Sequence, residues 1–278
     1  MPDWWYAYNT NGLAHHRLDD AIDLLADLGY GGIALTPDVG HLDPRDATPA
    51  EVERIGARIR SRGLRVTIQT GARFVLDPRR KHKPDFLDPD PEARAARMRF
   101  LERCMDIGRD LGAGVVSFWS GTAEPRQSAV ELTQRLVEGC RGVADAAAAR
   151  GMVAAFEPEP GMFVATVRDW VLLRNSANHP ALRLALDVGH VHCNREGDPA
   201  WVVRSSAAEL ADVQIEDMRE GEHVHRPFGE GTLDPAPVLF ALREMRYRGP
   251  VVVELSRDSH RAPEVARAAI DLLRRICP

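Results

Sequence analysis

The chain has 278 residues, enough for one large domain or two smaller ones. Hydrophobic residues make up 44% and charged residues 28%, the balance of a globular protein rather than a disordered or fibrous one. The net charge of −5, with Lys and Arg scattered among acids, argues against a nucleic-acid partner, since tracking a phosphate backbone draws its affinity from a basic face.

Cys104, Cys140, Cys193 and Cys277 lie far apart with no C-x-x-C pair, which argues against a disulfide framework and a thiolate zinc site. Cys193 reads as an inert packed thiol. The opening MPDWWYAYNTNG lacks a basic region followed by an apolar run, so no signal peptide is expected. No run approaches the ~18 apolar residues of a membrane span. The expectation is a cytoplasmic protein with no membrane partner. Arg79-Arg80-Lys81 reads as a solvated loop.

In chain order, apolar runs alternate with helical patterns. Trp5 to Tyr8 predicts a first strand, and Leu18 to Leu28, stopped by Gly29, a first helix. Strand Gly32 to Leu35 precedes a helix opened by Thr48-Pro49, with Thr as cap and Pro at the first helical position, and closed by Gly63. Strand Arg65 to Gln69 leads to helix Pro91 to Leu111, and Val115 to Trp119 to helix Ser128 to Arg150. Strand Val153 to Phe156 then pairs with helix Thr166 to Ala177, and Leu182 to Leu186 with Pro199 to Leu210. The last units are Asp212 to Ile215 with Asp234 to Met245, and Val251 to Glu254 with Ala262 to Ile276. Several strands are apolar on both faces, as in a buried parallel sheet.

Eight strand–helix units in a chain of this length predict a single-domain α/β fold, a (β/α)8 TIM barrel spanning 1–278. An open doubly wound sheet also alternates, but it carries a Gly-rich phosphate turn after its first strand; here that turn is Asn9-Thr10-Asn11-Gly12. No Gly-, Ser- or Pro-rich linker divides the chain.

In such a barrel the carboxyl ends of all strands meet one pocket. The last four predicted strands end in Glu157-Pro158-Glu159-Pro160-Gly161, Asp187-Val188-Gly189-His190, Gln214-Ile215-Glu216-Asp217 and Glu254-Leu255-Ser256-Arg257. A buried carboxylate is costly unless paired, and three facing one another repel. For any one residue a rim arginine suffices; four in succession point to one divalent cation held by Glu157, Asp187, Gln214 and Glu254. Oxygen donors without Cys favour Mn²⁺ or Mg²⁺, with Zn²⁺ or Co²⁺ behind them.

Glu157-Pro158, Asp187-x-x-His190 and Glu254, with Gly229-Glu230-Gly231-x-x-Asp234, resemble the sugar phosphate isomerase/epimerase family of xylose-isomerase-like barrels. That family includes ketose 3-epimerases, hydroxypyruvate isomerase, inosose dehydratase and 3-dehydroshikimate dehydratase. The resemblance covers about the last 125 residues; the first half matches in architecture. It implies that Glu157, Asp187 and Glu254 bind metal, that His190 contacts substrate, and that the two glutamates serve as acid and base on opposite faces of a sugar. Ketose epimerases commonly place a metal-binding His where this chain has Gln214. An amide oxygen also ligates Mn²⁺ or Mg²⁺, and dehydroshikimate dehydratases carry Gln there. The departure leaves the metal site intact and puts epimerisation in question.

His223 and His225 form an H-x-H pair that either borders substrate, supplements Gln214 or adds a second ion. Glu216 and Asp217 either orient Gln214 and His190 or form helix-side ion pairs. Towards substrate the candidates are His41, Arg73, His190, His223, His225 and Arg257; Asn9, Asn11, Trp119 and His260 are weaker. Catalytic roles fall to Glu157, Glu254 and His190.

The expected activity is a metal-dependent isomerase or epimerase of a sugar, sugar derivative or cyclitol, passing protons through a metal-stabilised enediolate. A dehydratase of the 3-dehydroshikimate or inosose type is the alternative favoured by Gln214. An apurinic-site nuclease and a barrel needing a partner subunit rank below both. The expected partner is a small polar polyol or keto substrate, and a homodimer is compatible with the sequence.

Overall fold

The computed structural model describes residues 3–71, 73–125 and 127–278. Eight parallel strands close into a barrel: β1 (Trp5–Asn9), β2 (Gly32–Leu35), β3 (Arg65–Gln69), β4 (Val115–Phe118), β5 (Val153–Phe156), β6 (Leu182–Asp187), β7 (Leu210–Ile215) and, eighth in the ring, β10 (Pro250–Val253). Neighbours follow chain order around the ring and β10 pairs back onto β1, so the sheet has no edge. This is the predicted (β/α)8 barrel.

The outer helices are α1 (Leu18–Leu28), α2 (Pro49–Ser61), α3 (Pro91–Leu111), α4 (Ala129–Ala149), α5 (Val167–Ala177), α6 (Val188–Cys193), α7 (Pro199–Ser205), α8 (Pro235–Glu244) and α9 (Ala262–Ile276). Their starts follow local chemistry. Thr48 accepts from Glu51 N ahead of Pro49, and Thr166 and Asp169 form a reciprocal capping box. Gly29 and Gly112, at φ +87° and +83°, end α1 and α3 in the left-handed conformation. None of the described helices is long and apolar enough to cross a membrane.

Three differences from the sequence expectation matter. The helix expected to run to Leu210 stops at Ser205, because Leu210 already belongs to β7. The short α6 follows β6 directly, capped by Asp187 itself. After β7 the chain makes an antiparallel hairpin, β8 (Asp217–Arg219) and β9 (Glu222–Arg226), with Gly221 at φ +76° in its turn.

The hydrophobic core lies between sheet and helices, where outward strand residues such as Val66, Ile68, Val116, Phe118, Val213 and Ile215 pack. The barrel interior is narrow and small-sided: Ala7, Ala34 and Val252 form their own cluster inside it. Alternation along each strand then aims the next inward residue at the carboxyl rim.

Candidate active site at the carboxyl rim

The inward residues nearest the rim are polar on every strand: Asn9, Thr36, Gln69, Ser117, Glu157, Asp187, Gln214 and Glu254. Six of them line a cavity of about 550 Å³, while Asp187 and Gln214 are buried at 1% and 0% exposure. Register explains the convergence. Asp187 pairs with Gln214 and Gln214 with Val252, so these side chains share the inner face, and Glu254 is one alternation above Val252. Glu157 N donates to Phe118 O at 2.8 Å, carrying the β4–β5 pairing to the rim.

The Asp187-x-x-His190 spacing is a helix cap turned to other use. Asp187 Oδ1 accepts from His190 N at 3.1 Å, which starts α6. One helical turn brings the imidazole back, with Nε2 3.4 Å from Asp187 Oδ2 and Nδ1 3.7 Å from Glu157 Oε1. His190 Nδ1 donates to Pro158 O at 3.2 Å; a carbonyl only accepts, so Nδ1 carries the hydrogen and Nε2 offers its lone pair. Burial pushes this histidine down to about 4, which keeps it neutral. His223 lies 3.1 Å from His190, nitrogen to nitrogen, and donates into that lone pair. His223 and His225 alternate along β9, so both rings reach the same side, with centroids 4.8 and 5.5 Å from His190.

On the opposite flank Glu254 accepts from Asn11 Nδ2 at 2.7 Å and Asn9 Nδ2 at 3.2 Å, which fixes its carboxylate. Arg73 Nη2 reaches Asn11 O at 3.1 Å. Arg257 lines the cavity, as do Trp119 and Lys81. His41 and His260 are not among the lining residues. His41 Nε2 instead donates to His16 O at 2.9 Å, and His41 closes a backbone turn with Asp38, so its ring is occupied by loop structure.

Three further carboxylates stand out. Glu159 lines the cavity, and burial with the Glu254 charge brings it up to about 7. Glu216 is fully buried with neither oxygen hydrogen-bonded, and lies 3.6 Å from His225 Nδ1. Burial disfavours charge on His225, but the Glu216, Glu254 and Asp187 carboxylates outweigh it and raise its pKa well above the usual imidazole range. Asp212, fully buried under the site, is reached across the barrel by Thr67 Oγ1 at 3.2 Å and Gln69 Nε2 at 3.1 Å, and burial brings it up to about 7. Glu159 follows β5 and Asp212 lies on β7, the strands that also carry Glu157 and Gln214, and alternation is the signal that marks Asp212 as inward. Asp217 serves the backbone instead, accepting from Gly229 N, Gly231 N and Leu233 N at 2.8 to 2.9 Å, and so builds the glycine turn. Lys81, grouped by sequence with a solvated run, faces the cavity, while its neighbour Arg80 pairs with Asp77 at 2.7 Å.

Part of the expected donor set fits a divalent cation; Glu254 joins none of the clusters of ligand atoms within reach of one ion among the described residues. Ligand atoms of Glu157, Asp187 and His190 lie within 4.8 Å of one another, as do those of Asp187, Glu216 and His225, and those of the three imidazoles. Asp187 Oδ2 and both amide atoms of Gln214 are buried without a hydrogen-bond partner. Burial and the surrounding charges of Glu159, Glu254 and Asp187 drive the Glu157 carboxyl far above its usual range. Excess negative charge together with orphaned oxygens is what a cation relieves.

A family model of the xylose isomerase-like TIM barrel matches residues 22–276. The chain belongs to that family. Among curated relatives of this xylose isomerase-like barrel, a 3-dehydroshikimate dehydratase of Pseudomonas putida is 31% identical over 183 residues, 62% of this chain and 28% of that protein. The L-ribulose-5-phosphate 3-epimerase UlaE of Salmonella typhi is 22% identical over 64% of this chain and 63% of its own. The matches thus span less than two thirds of either relative. In three dimensions the barrel superposes on a D-allulose 3-epimerase of a Methylomonas species in complex with D-allulose (TM-score 0.78, 19% identity, 99% and 98% of the two chains). It likewise superposes on a D-psicose 3-epimerase of Clostridium cellulolyticum with D-tagatose (TM-score 0.80, 17% identity, 98% and 99%). At these identities the superpositions show a shared fold.

Proposed function

We propose that the protein is a divalent-metal-dependent isomerase or epimerase acting on a small polyhydroxylated carbonyl compound, with Glu157, Asp187, Gln214 and Glu254 as the metal ligands. The observation that carries this reading is the pair of buried, partnerless oxygens on adjacent strands, Asp187 Oδ2 and Gln214 Oε1, next to Glu157. A cation of the Mn²⁺ or Mg²⁺ type would supply Lewis-acid polarisation of a substrate carbonyl or hydroxyl.

The chain's own groups move the protons. Glu157 and Glu254 directly follow β5 and β10, which are separated in the ring by β6 and β7, and so flank a substrate from two sides. Glu254, held by Asn9 and Asn11, is positioned as the base that takes a carbon-bound proton. Glu157, on the opposite flank, is placed to return one. Delivery to the same carbon from the other face epimerises; delivery to the neighbouring carbon isomerises. Neutral His190 offers no spare donor on the Pro158 side and holds His223 against the cavity.

A second reading, a dehydratase, is supported by Gln214 and by the dehydratase relative at 31% identity. The Glu159 carboxyl, at about 7, is suited to protonate a departing hydroxyl. The test is proton exchange from D₂O into candidate ketoses, cyclitols and dehydroshikimate by the Mn²⁺-loaded protein. Deuterium incorporation with water retained supports isomerase or epimerase, and loss of water supports the dehydratase. Absence of both in a protein shown to hold metal would overturn the reading.

A further inference from the structure

Three cations that the proton chemistry does not use also line the cavity. Arg73 and Lys81 follow β3, which stands opposite β7 in the eight-membered ring, and Arg257 follows Glu254 by three residues. All three line the cavity, and none forms an ion pair among the described residues. Nearby cations outside it behave differently: Arg80 pairs with Asp77 at 2.7 Å and Lys83 with Asp85 at 2.9 Å.

Behind this wall lies a fourth positive charge. Arg97 of α3 is fully buried, its guanidinium carbon 4.2 Å from the Trp119 ring centre and 5.3 Å from that of Phe100. Its one hydrogen bond is a long contact from Nη2 to Thr70 O at 3.4 Å; Nε and Nη1 have no partner. Trp119 and Thr70 both line the cavity, so the guanidinium lies one residue behind its surface. Burial brings Arg97 down to about 10, still charged at neutral pH. An uncompensated buried cation is strongly disfavoured unless something nearby answers it, and no carboxylate of the described residues pairs with Arg97.

The cavity's acids do not answer these charges. Glu254 is held by two asparagine amides, and Glu157 and Asp187 lie beside His190, turned to the metal site they are proposed to build. Glu159 also lines the cavity and forms no ion pair with Arg73, Lys81 or Arg257 among the described residues.

We propose that Arg73, Lys81 and Arg257, backed by Arg97 through Trp119, bind the carboxylate or phosphate of an anionic substrate whose polyol or carbonyl end reaches the Glu157–Glu254 side. The assignment rests on the same cavity being the active site and narrows its substrate to an anion. Exposed Lys81 and Arg257 supply steering and charge, and half-buried Arg73, fixed by Asn11 O, supplies a planar two-donor contact. The anionic group is thereby placed at a fixed reach from Glu254, because Asn11 touches both.

The test is calorimetric titration of the Mn²⁺-loaded protein with matched pairs: D-ribulose 5-phosphate against D-ribulose, and shikimate against its methyl ester, with inorganic phosphate as a shape-independent probe. The first pair and phosphate report a phosphate site; the second reports a carboxylate site. At least one charged member is expected to bind roughly tenfold tighter than its neutral partner, a preference that shrinks as salt rises. Lys81→Ala and Arg257→Ala, both exposed, are each expected to reduce it about threefold, and Arg73→Ala more. Arg97→Met removes a charge that touches no ligand and is expected to weaken only the charged probe. Equal affinity within both pairs, absence of binding by all three anions, or a preference that survives the Arg73/Lys81/Arg257 triple alanine variant would overturn the proposal. Metal content measured on the same samples separates the failures: a protein that holds metal without anion preference loses the anion site alone.

Discussion

His82 shows how one side chain serves both fold and cavity. It sits at φ +66°, donates from Nδ1 to Gly71 O at 2.7 Å and meets Trp119 edge-on at 5.1 Å. Burial brings its pKa down to about 4 from an ordinary 6.5. Because the folded value is the depressed one, the stability it contributes is complete above about 6.5 and is lost as pH falls towards 4, on the order of 2 kcal/mol. Buried His41, also shifted down by burial, adds in the same direction. The thermal midpoint is expected to drop across that window, and His82→Asn, which tolerates positive φ, to flatten the drop; an unchanged slope would contradict the assignment. At the same scale, Gln214→Ala is expected to weaken metal binding roughly 10- to 100-fold, the loss typical of disturbing a metal site, as read by Mn²⁺ titration.

At the scale of elements, the glycine turn before α8 was readable as a motif but not as a mechanism. Asp217, read from sequence as orienting Gln214 and His190 or pairing along a helix, instead accepts with both oxygens from three backbone N–H groups of that turn. A side chain on Gly231 would collide with the Asp217 carboxyl and with Met218 O. Asp217→Ala is therefore expected to destabilise by about 1–3 kcal/mol, since it leaves the buried Leu233 N–H and two N–H groups nearer the surface without their acceptor, with chemical denaturation as the measurement. A loss below about half a kcal/mol would show that water replaces it. The hairpin of β8 and β9 was not legible: its strands are three and five residues long, too short for periodicity to register. His-x-His alternation nevertheless means that any strand there would present both rings to one side. The short α6 escaped for a similar reason, since one residue, Asp187, ends the strand and caps the helix.

For the whole molecule, the barrel and its eight strand–helix units were written in alternating apolar runs, because every strand must bury its outer face against a helix. The strand ends on β5 to β7 and β10 stood out because carboxylates after apolar runs are rare and costly. On the far wall, sequence named Arg73, Arg257 and, less firmly, Trp119, but not Lys81 or Arg97. Lys81 lies in the long connection between β3 and α3 and Arg97 on α3 itself, and tertiary folding brings them to the cavity, where no period constrains position. His41 was misleading for the converse reason: it follows a strand, yet its loop turns it onto His16. If one cation draws the acidic strand ends together, saturation at ~100 times its Kd stabilises the fold by about 2.7 kcal/mol. A thermal midpoint raised by roughly 5 °C in excess Mn²⁺ is the expected result. No shift with any of Mn²⁺, Mg²⁺, Zn²⁺ or Co²⁺ would count against a built site.

The most direct measurement is the metal content of the purified protein, loaded with Mn²⁺ and desalted, beside Glu254→Gln prepared in the same way. The site predicts about one ion per chain in the wild type and a large loss in the variant at unchanged circular dichroism. A wild-type protein that retains no divalent ion after loading, or a variant that retains as much as the wild type, would contradict a metal centre built on Glu157, Asp187, Gln214 and Glu254.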